Sequence, residues 1–97
     1  MSYRDILDAA ENGDISRLTT LINNNKASLD VQGGWSKTPL HWAAENGHSG
    51  AVQVLVDAKA SVDVQNSHGS TPIHRAAWNG HSGAVQVLVD AKASVDV

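Results

Sequence analysis

The sequence predicts a solenoid: three stacked copies of one small unit, each opening with a short helix. The first observation is recurrence. Residues 48–64, HSGAVQVLVDAKASVDV, return letter for letter as residues 81–97, and upstream TPLHWAAENG (38–47) becomes TPIHRAAWNG (71–80). Across 38–64 and 71–97 only three of 27 positions differ, at a spacing of 33 residues. A fixed period of about 20–50 residues marks units that bury their apolar faces against one another. The second observation is helix-boundary chemistry at the same place in the two near-identical copies. Thr38–Pro39 and Thr71–Pro72 pair an N-cap hydroxyl with a first-turn proline, whose missing N–H a helix start does not need. Gly47 and Gly80 then end the segment after about nine residues, because glycine accepts the left-handed conformation past a helix C-terminus.

Taken in order, the first unit is a diverged copy. LDAAENGD (7–14) echoes WAAENGH, and LINNNKASLDVQ (21–32) echoes LVDAKASVDVQ with one residue added in the run Asn23, Asn24, Asn25. It opens on the polar MSYRD and lacks both the Thr-Pro pair and the histidine. The units are therefore 1–32, 33–65 and 66–97, forming a single domain over 1–97. Within units two and three, the segment Ser49–Ala58 and its copy are ambiguous from pattern alone. Val52, Val54 and Val56 alternate like a strand, while Val52, Leu55 and Val56 also fit one helix face.

The blocks TPLHWAAENGH and TPIHRAAWNGH resemble the signature of the ankyrin repeat, a unit of two antiparallel helices followed by a hairpin-like loop. The resemblance spans essentially the whole chain. It implies an all-α solenoid of helix-turn-helix units, and it resolves the ambiguous segment as the second helix. It also implies that the first unit is an N-terminal capping repeat. Two departures from the family pattern stand out. Lys26, Lys59 and Lys92 occupy the place after the second helix where the family usually has glycine, which predicts non-glycine residues at positive φ and a penalty of about 1 kcal/mol each. The first hairpin, QGGWSK (32–37), lacks the glycine that Gly69 supplies in QNSHGS (65–70). The third unit is built like an internal one, so its far flank, up to Val97, is expected to present apolar side chains. Either further repeats of a longer array or another copy of the chain would cover it.

Composition narrows the function. The chain has 41% hydrophobic and 18% charged residues, net charge -3, no cysteine and no basic run. This describes a globular domain with no grip on nucleic acid phosphates and no disulfides. The acidic N-terminal stretch and the absence of about 20 consecutive apolar residues argue against a signal peptide or a membrane span. The expected setting is intracellular, in cytoplasm or nucleus. The five histidines do not make a metal site, because a glycine break separates His41 from His48 and His74 from His81. The resemblance instead makes His41 and His74 structural, each a strut between its helix start and neighbouring backbone. No serine lies in a nucleophile elbow, and the glycines match neither the dinucleotide fingerprint nor a phosphate loop. Asp57, Asp63 and Asp90 read as solvated surface. The chain is expected to be non-catalytic and to need no cofactor or metal.

Apart from Leu40 against Ile73, a swap that conserves volume, the differences between units two and three are large and clustered. Trp42 stands against Arg75, Glu45 against Trp78, and Gly33, Gly34, Trp35, Ser36 and Lys37 against Asn66, Ser67, His68, Gly69 and Ser70. The resemblance places hairpin tips and first helices on the concave partner-binding side. The expected contact residues are Trp35, Lys37, Trp42, Glu45, Asn46, Ser67, His68, Ser70, Arg75, Trp78 and Asn79. The expected framework residues are Thr38, Pro39, His41, Gly47, Thr71, Pro72, His74 and Gly80. All three tryptophans lie on the variable side, and tryptophan combines a large rigid area with a single N–H donor. Trp42 takes a place often filled by Leu, which favours partial core packing. Trp35 either folds over its own glycine-rich tip or is free for contact, and Trp78 is expected to be exposed. The partner is a protein or peptide. The alternative is an assembly segment that self-associates through its C-terminal flank. Exposed residues such as Gln53, Asp57 and Lys59 recur without a packing need, pointing to recent duplication or engineered copying.

Overall fold

A computed structural model describes residues 4–24 and 28–93. Lys26 and the terminal Val97 lie outside the described residues. Among the described residues six helices follow in order: α1 (Arg4–Asn12), α2 (Ile15–Asn23), α3 (Pro39–Glu45), α4 (Ser49–Asp57), α5 (Pro72–Trp78) and α6 (Ser82–Asp90), with a short 3-10 turn at Gly34–Ser36. No strand occurs among the described residues. The fold is the all-α stack expected. α1, α3 and α5 form one layer and α2, α4 and α6 the other, with each helix touching its partner within the unit and its counterpart in the adjoining unit.

Local chemistry explains the first helices. Thr38 Oγ1 accepts the His41 N–H at 3.3 Å, and the Thr38 N–H donates back to His41 Nδ1 at 3.0 Å. The result is a capping box with histidine in the place usually held by Glu or Gln. Thr71 and His74 repeat it. The helix proper ends at Glu45 and at Trp78, seven residues rather than nine, because Asn46 and Asn79 already sit at the cap and Gly47 and Gly80 turn left-handed at φ 75°.

The valine-rich segments are helical because of where they pack. α4 lies between α2 and α6, so Val52 and Leu55 are fully buried while Val54 and Val56 are half-buried on its flanks. A helix buried on several sides carries valine around most of its circumference, which mimics the alternation of a strand. The core runs continuously through the stack: Ile6, Leu18, Leu40, Val52, Leu55, Ile73 and Leu88, with small alanines where helices approach closely. Lys59 and Lys92 adopt φ of 75° and 65°, as their positions in place of glycine predict.

Candidate functional site

The units are joined by contacts that also shape the exposed side. His41 is buried, and its Nε2 donates to the Ser70 carbonyl at 2.9 Å, tying α3 to the next hairpin. Since Nδ1 accepts from Thr38 N–H, the neutral Nε2–H tautomer is the one these partners select. Burial holds its pKa below the ordinary histidine value, against the pull of the Ser70 carbonyl. Asn46 and Asn79 lie in the same register and donate through Nδ2 to the carbonyls of Glu11 and Glu45, one unit back. They are exposed, yet part of their hydrogen-bonding capacity is spent holding units together.

Two histidines had no role in the sequence reading. His48 Nε2 donates to the Glu11 carbonyl at 2.9 Å, and the His48 and His81 rings lie over Gly13 and Gly47 of the unit before. A Cβ added at Gly47 would lie 2.7 Å from His81 Nδ1, whereas one at Gly80 would meet nothing within 4 Å. The recurring Asn-Gly-His sequence is thus a stacking element. Its signal was the 33-residue recurrence of a Gly-His pair that no local turn requires.

The two hairpin tips differ for a structural reason. Asn66 is buried and its Oδ1 accepts from the backbone of His68 and Ser70, forming a side-chain-closed loop. At the equivalent position in the first hairpin, a Cβ on Gly33 would come within 2.6 Å of Leu7 Cδ1, so the apolar residue that replaces histidine in unit one fills the space beside the glycine, and any side chain there would have to displace its terminal methyl. The first tip closes instead as a 3-10 turn, with Trp35 at φ 61° and Ser36 at φ 56°, Ser36 standing where Gly69 stands in the second. The tips are cross-linked by Ser67 N–H to the Trp35 carbonyl at 2.8 Å and by Ser67 Oγ to Ser36 Oγ at 3.2 Å.

The side chains on this face form a connected set. Trp35, 62% exposed, stacks on His68 of the next tip with ring centroids 5.3 Å apart, rather than folding over its own turn. Trp42 is half-buried against the core, and Lys37 Nζ lies 4.4 Å above its ring. Lys37 Nζ also meets Glu45 Oε2 at 2.9 Å, and Arg75 Nε meets Glu45 Oε1 at 2.8 Å from the next unit. Burial pushes the Glu45 carboxyl upward, but the hydrogen bonds and charges of Lys37 and Arg75 outweigh it and hold its pKa below the ordinary carboxylate value. Trp78, one helical turn beyond Arg75 on the same face of α5, is 81% exposed. Among the described residues, no three His, Asp or Glu side chains converge on a point that could hold a metal ion.

Two open clefts flank Trp35. One, of about 260 Å³, is lined by Trp35, Lys37, Asn66, His68 and Arg75. The other, of about 310 Å³, is lined on one side by Trp35, Trp42 and the glycines of the first tip, and on the other by Arg4, Leu7, Asp8 and Glu11 of α1. The acidic pair was missed in the sequence. Aligning Ala9-Ala10 with Ala43-Ala44 would have found it, since Asp8 and Glu11 then fall in register with Trp42 and Glu45.

A family model of ankyrin repeats, in three copies, matches residues 6–97. The chain belongs to the ankyrin-repeat family. Ankyrin repeats are generally protein–protein interaction modules and typically have no enzymatic activity. In this ankyrin array no helix among the described residues is long and apolar enough to cross a membrane.

Proposed function

We propose that the array binds a protein or peptide non-catalytically, through the two hairpin tips and the exposed face of the first helices. The observation that supports this most is the coincidence of sequence difference with exposed aromatic surface. The repeats differ where Trp35 and Trp78 stand open to solvent, while the buried framework of the helices is copied apart from Leu40 against Ile73. Aromatic anchors on a rigid support lose little entropy on binding, which favours affinity. Trp35, Lys37, Trp42, Glu45, Asn46, Ser67, His68, Ser70, Arg75, Trp78 and Asn79 make up the contact surface. Thr38, Pro39, His41, Gly47, Thr71, Pro72, His74 and Gly80 hold its shape. Cytoplasm or nucleus is the setting proposed. The test is selection of linear peptides from a random display library on the folded chain, followed by Trp35→Ala and Trp78→Ala together. Binding should be lost while helicity and molecular mass stay unchanged; retained binding by the double variant contradicts the proposal.

A second reading, self-association through the C-terminal flank, is favoured by one comparison. Ala77 is exposed and Val85 half-buried, whereas their identical counterparts Ala44 and Val52 are fully buried by the following unit. Val89 is exposed as well. Light scattering at micromolar concentration separates the readings: a dimer that Val85→Glu with Val89→Glu returns to monomer supports the flank, and a monomer at the outset argues against it.

A further inference from the structure

The face proposed above is polar along its length, and the polarity runs in one direction. In register across the three first helices stand Asp8, Trp42 and Arg75, and one turn further along stand Glu11, Glu45 and Trp78. Unit one therefore offers two carboxylates. In unit two the Glu45 carboxylate is already held between Lys37 and Arg75. In unit three the column is a guanidinium and an indole, beside His68 of the tip. Arg4 tempers the acidic cleft, and Glu45 tempers the basic one, so each retains an excess of one sign. Arg75 reaches Glu45 through Nε, and among the described residues no acceptor takes a hydrogen bond from its terminal Nη groups. A carboxylate entering that cleft would find these donors, and paired N–H groups suit a carboxylate well.

Trp35 lines both clefts and is the wall between them. Its exposed indole offers apolar area midway between the two charged ends. We infer that the occupant of this groove is an extended peptide segment with a basic residue in the Asp8/Glu11 cleft and an acidic residue against Arg75. Between them an apolar or aromatic residue lies on Trp35. The clefts are offset by about one helix-to-helix spacing, roughly 10 Å, and an extended chain rises about 3.3 Å per residue. The two charged residues are then about three positions apart, which leaves room for the apolar one between. A uniformly acidic segment would meet like charge at unit one, and a uniformly basic one at Lys37 and Arg75, so charge order supplies the selectivity.

This inference rests on the groove reading, and the two can fail separately. The test sequences the peptides that a random linear library yields on the full chain and compares them with those held by Asp8→Lys/Glu11→Lys and by Trp35→Ala/Trp78→Ala. Asp8 and Glu11 are exposed, so their replacement leaves the core intact. Wild type should enrich a basic and an acidic residue about three positions apart around an apolar one. A synthetic peptide of that kind should bind about two- to fivefold more weakly to the Asp8→Lys/Glu11→Lys chain, and its preference should weaken with added salt. Peptides that need Trp35 and Trp78 but show no charge order, or a single sign throughout, overturn this inference and leave the groove reading standing. A library from which nothing depends on the two tryptophans overturns both. So does a chain whose groove is occupied by a second copy, seen as a dimer that Trp35→Ala/Trp78→Ala converts to monomer.

Discussion

Gly47 and Gly80 offer a matched experiment within one molecule. Both follow a first helix, both sit at φ 75°, and their flanking sequences are nearly the same. An alanine at either place adds one methyl group in the left-handed region, a penalty of about 1 kcal/mol. There the likeness ends. At Gly47 the new Cβ would lie 2.7 Å from His81 Nδ1 and 3.0 Å from His81 Cγ, while at Gly80 nothing stands within 4 Å. The His81 backbone is fixed at the N-cap of α6 and its side chain makes no cap hydrogen bond there, so relief requires the whole ring to swing off the glycine and give up its contact with the unit before. Forcing it aside adds about 1–3 kcal/mol of overpacking strain. Gly80→Ala should therefore cost about 1 kcal/mol and Gly47→Ala about 2–4 kcal/mol. Urea denaturation followed by far-ultraviolet circular dichroism reads both as midpoint shifts, since stability falls linearly with denaturant. Equal shifts would refute the claim that the histidine ring over the glycine is a stacking contact between units.

Three further outcomes follow from the geometry. The His41 pKa lies below its unfolded value, so its contribution is fully present above about pH 6.5 and is lost as pH falls from there toward the folded pKa; urea midpoints should drop across that window in wild type and drop less in His41→Gln. Glu45→Gln removes the carboxylate between Lys37 and Arg75, where its side chain is 14% exposed, and should cost about 1–2 kcal/mol by thermal or urea unfolding. Lys59→Gly and Lys92→Gly relieve positive φ at exposed positions and should each raise stability by about 0.5–1 kcal/mol, net of the added freedom of the unfolded chain, with no change in peptide binding.

The architecture was legible because a repeat prints its own period. Thr-Pro at the start and Gly at the end of the first helix report local backbone chemistry, and the structure places the helix where those signals put it. The second helix was not legible from local pattern. Val52, Val54 and Val56 answer to neighbours on three sides, and only the stack supplies those neighbours. The tips were partly legible: the missing glycine of the first hairpin marked a change in turn, but Leu7, which fills the space beside Gly33 where the second hairpin carries Asn66, lies 26 residues away in another unit. The ion pairs of Glu45 reach across 8 and 30 residues, so no motif announces them. Unit one hid its carboxylates for another reason. Its sequence has diverged enough that Asp8 and Glu11 read as ordinary helix surface until they are set in register with Trp42 and Glu45.

The most direct test of the binding surface is a nuclear magnetic resonance titration of the isotope-labelled chain with a peptide selected on it. The indole N–H signals of Trp35 and Trp78 and the backbone amides of His68 and Arg75 should shift together and saturate at one stoichiometric equivalent, with Gly80, Val85 and Val89 unmoved. Shifts concentrated at Gly80, Val85 and Val89, with both indoles unchanged, would place the interaction on the flank of the stack and contradict the account.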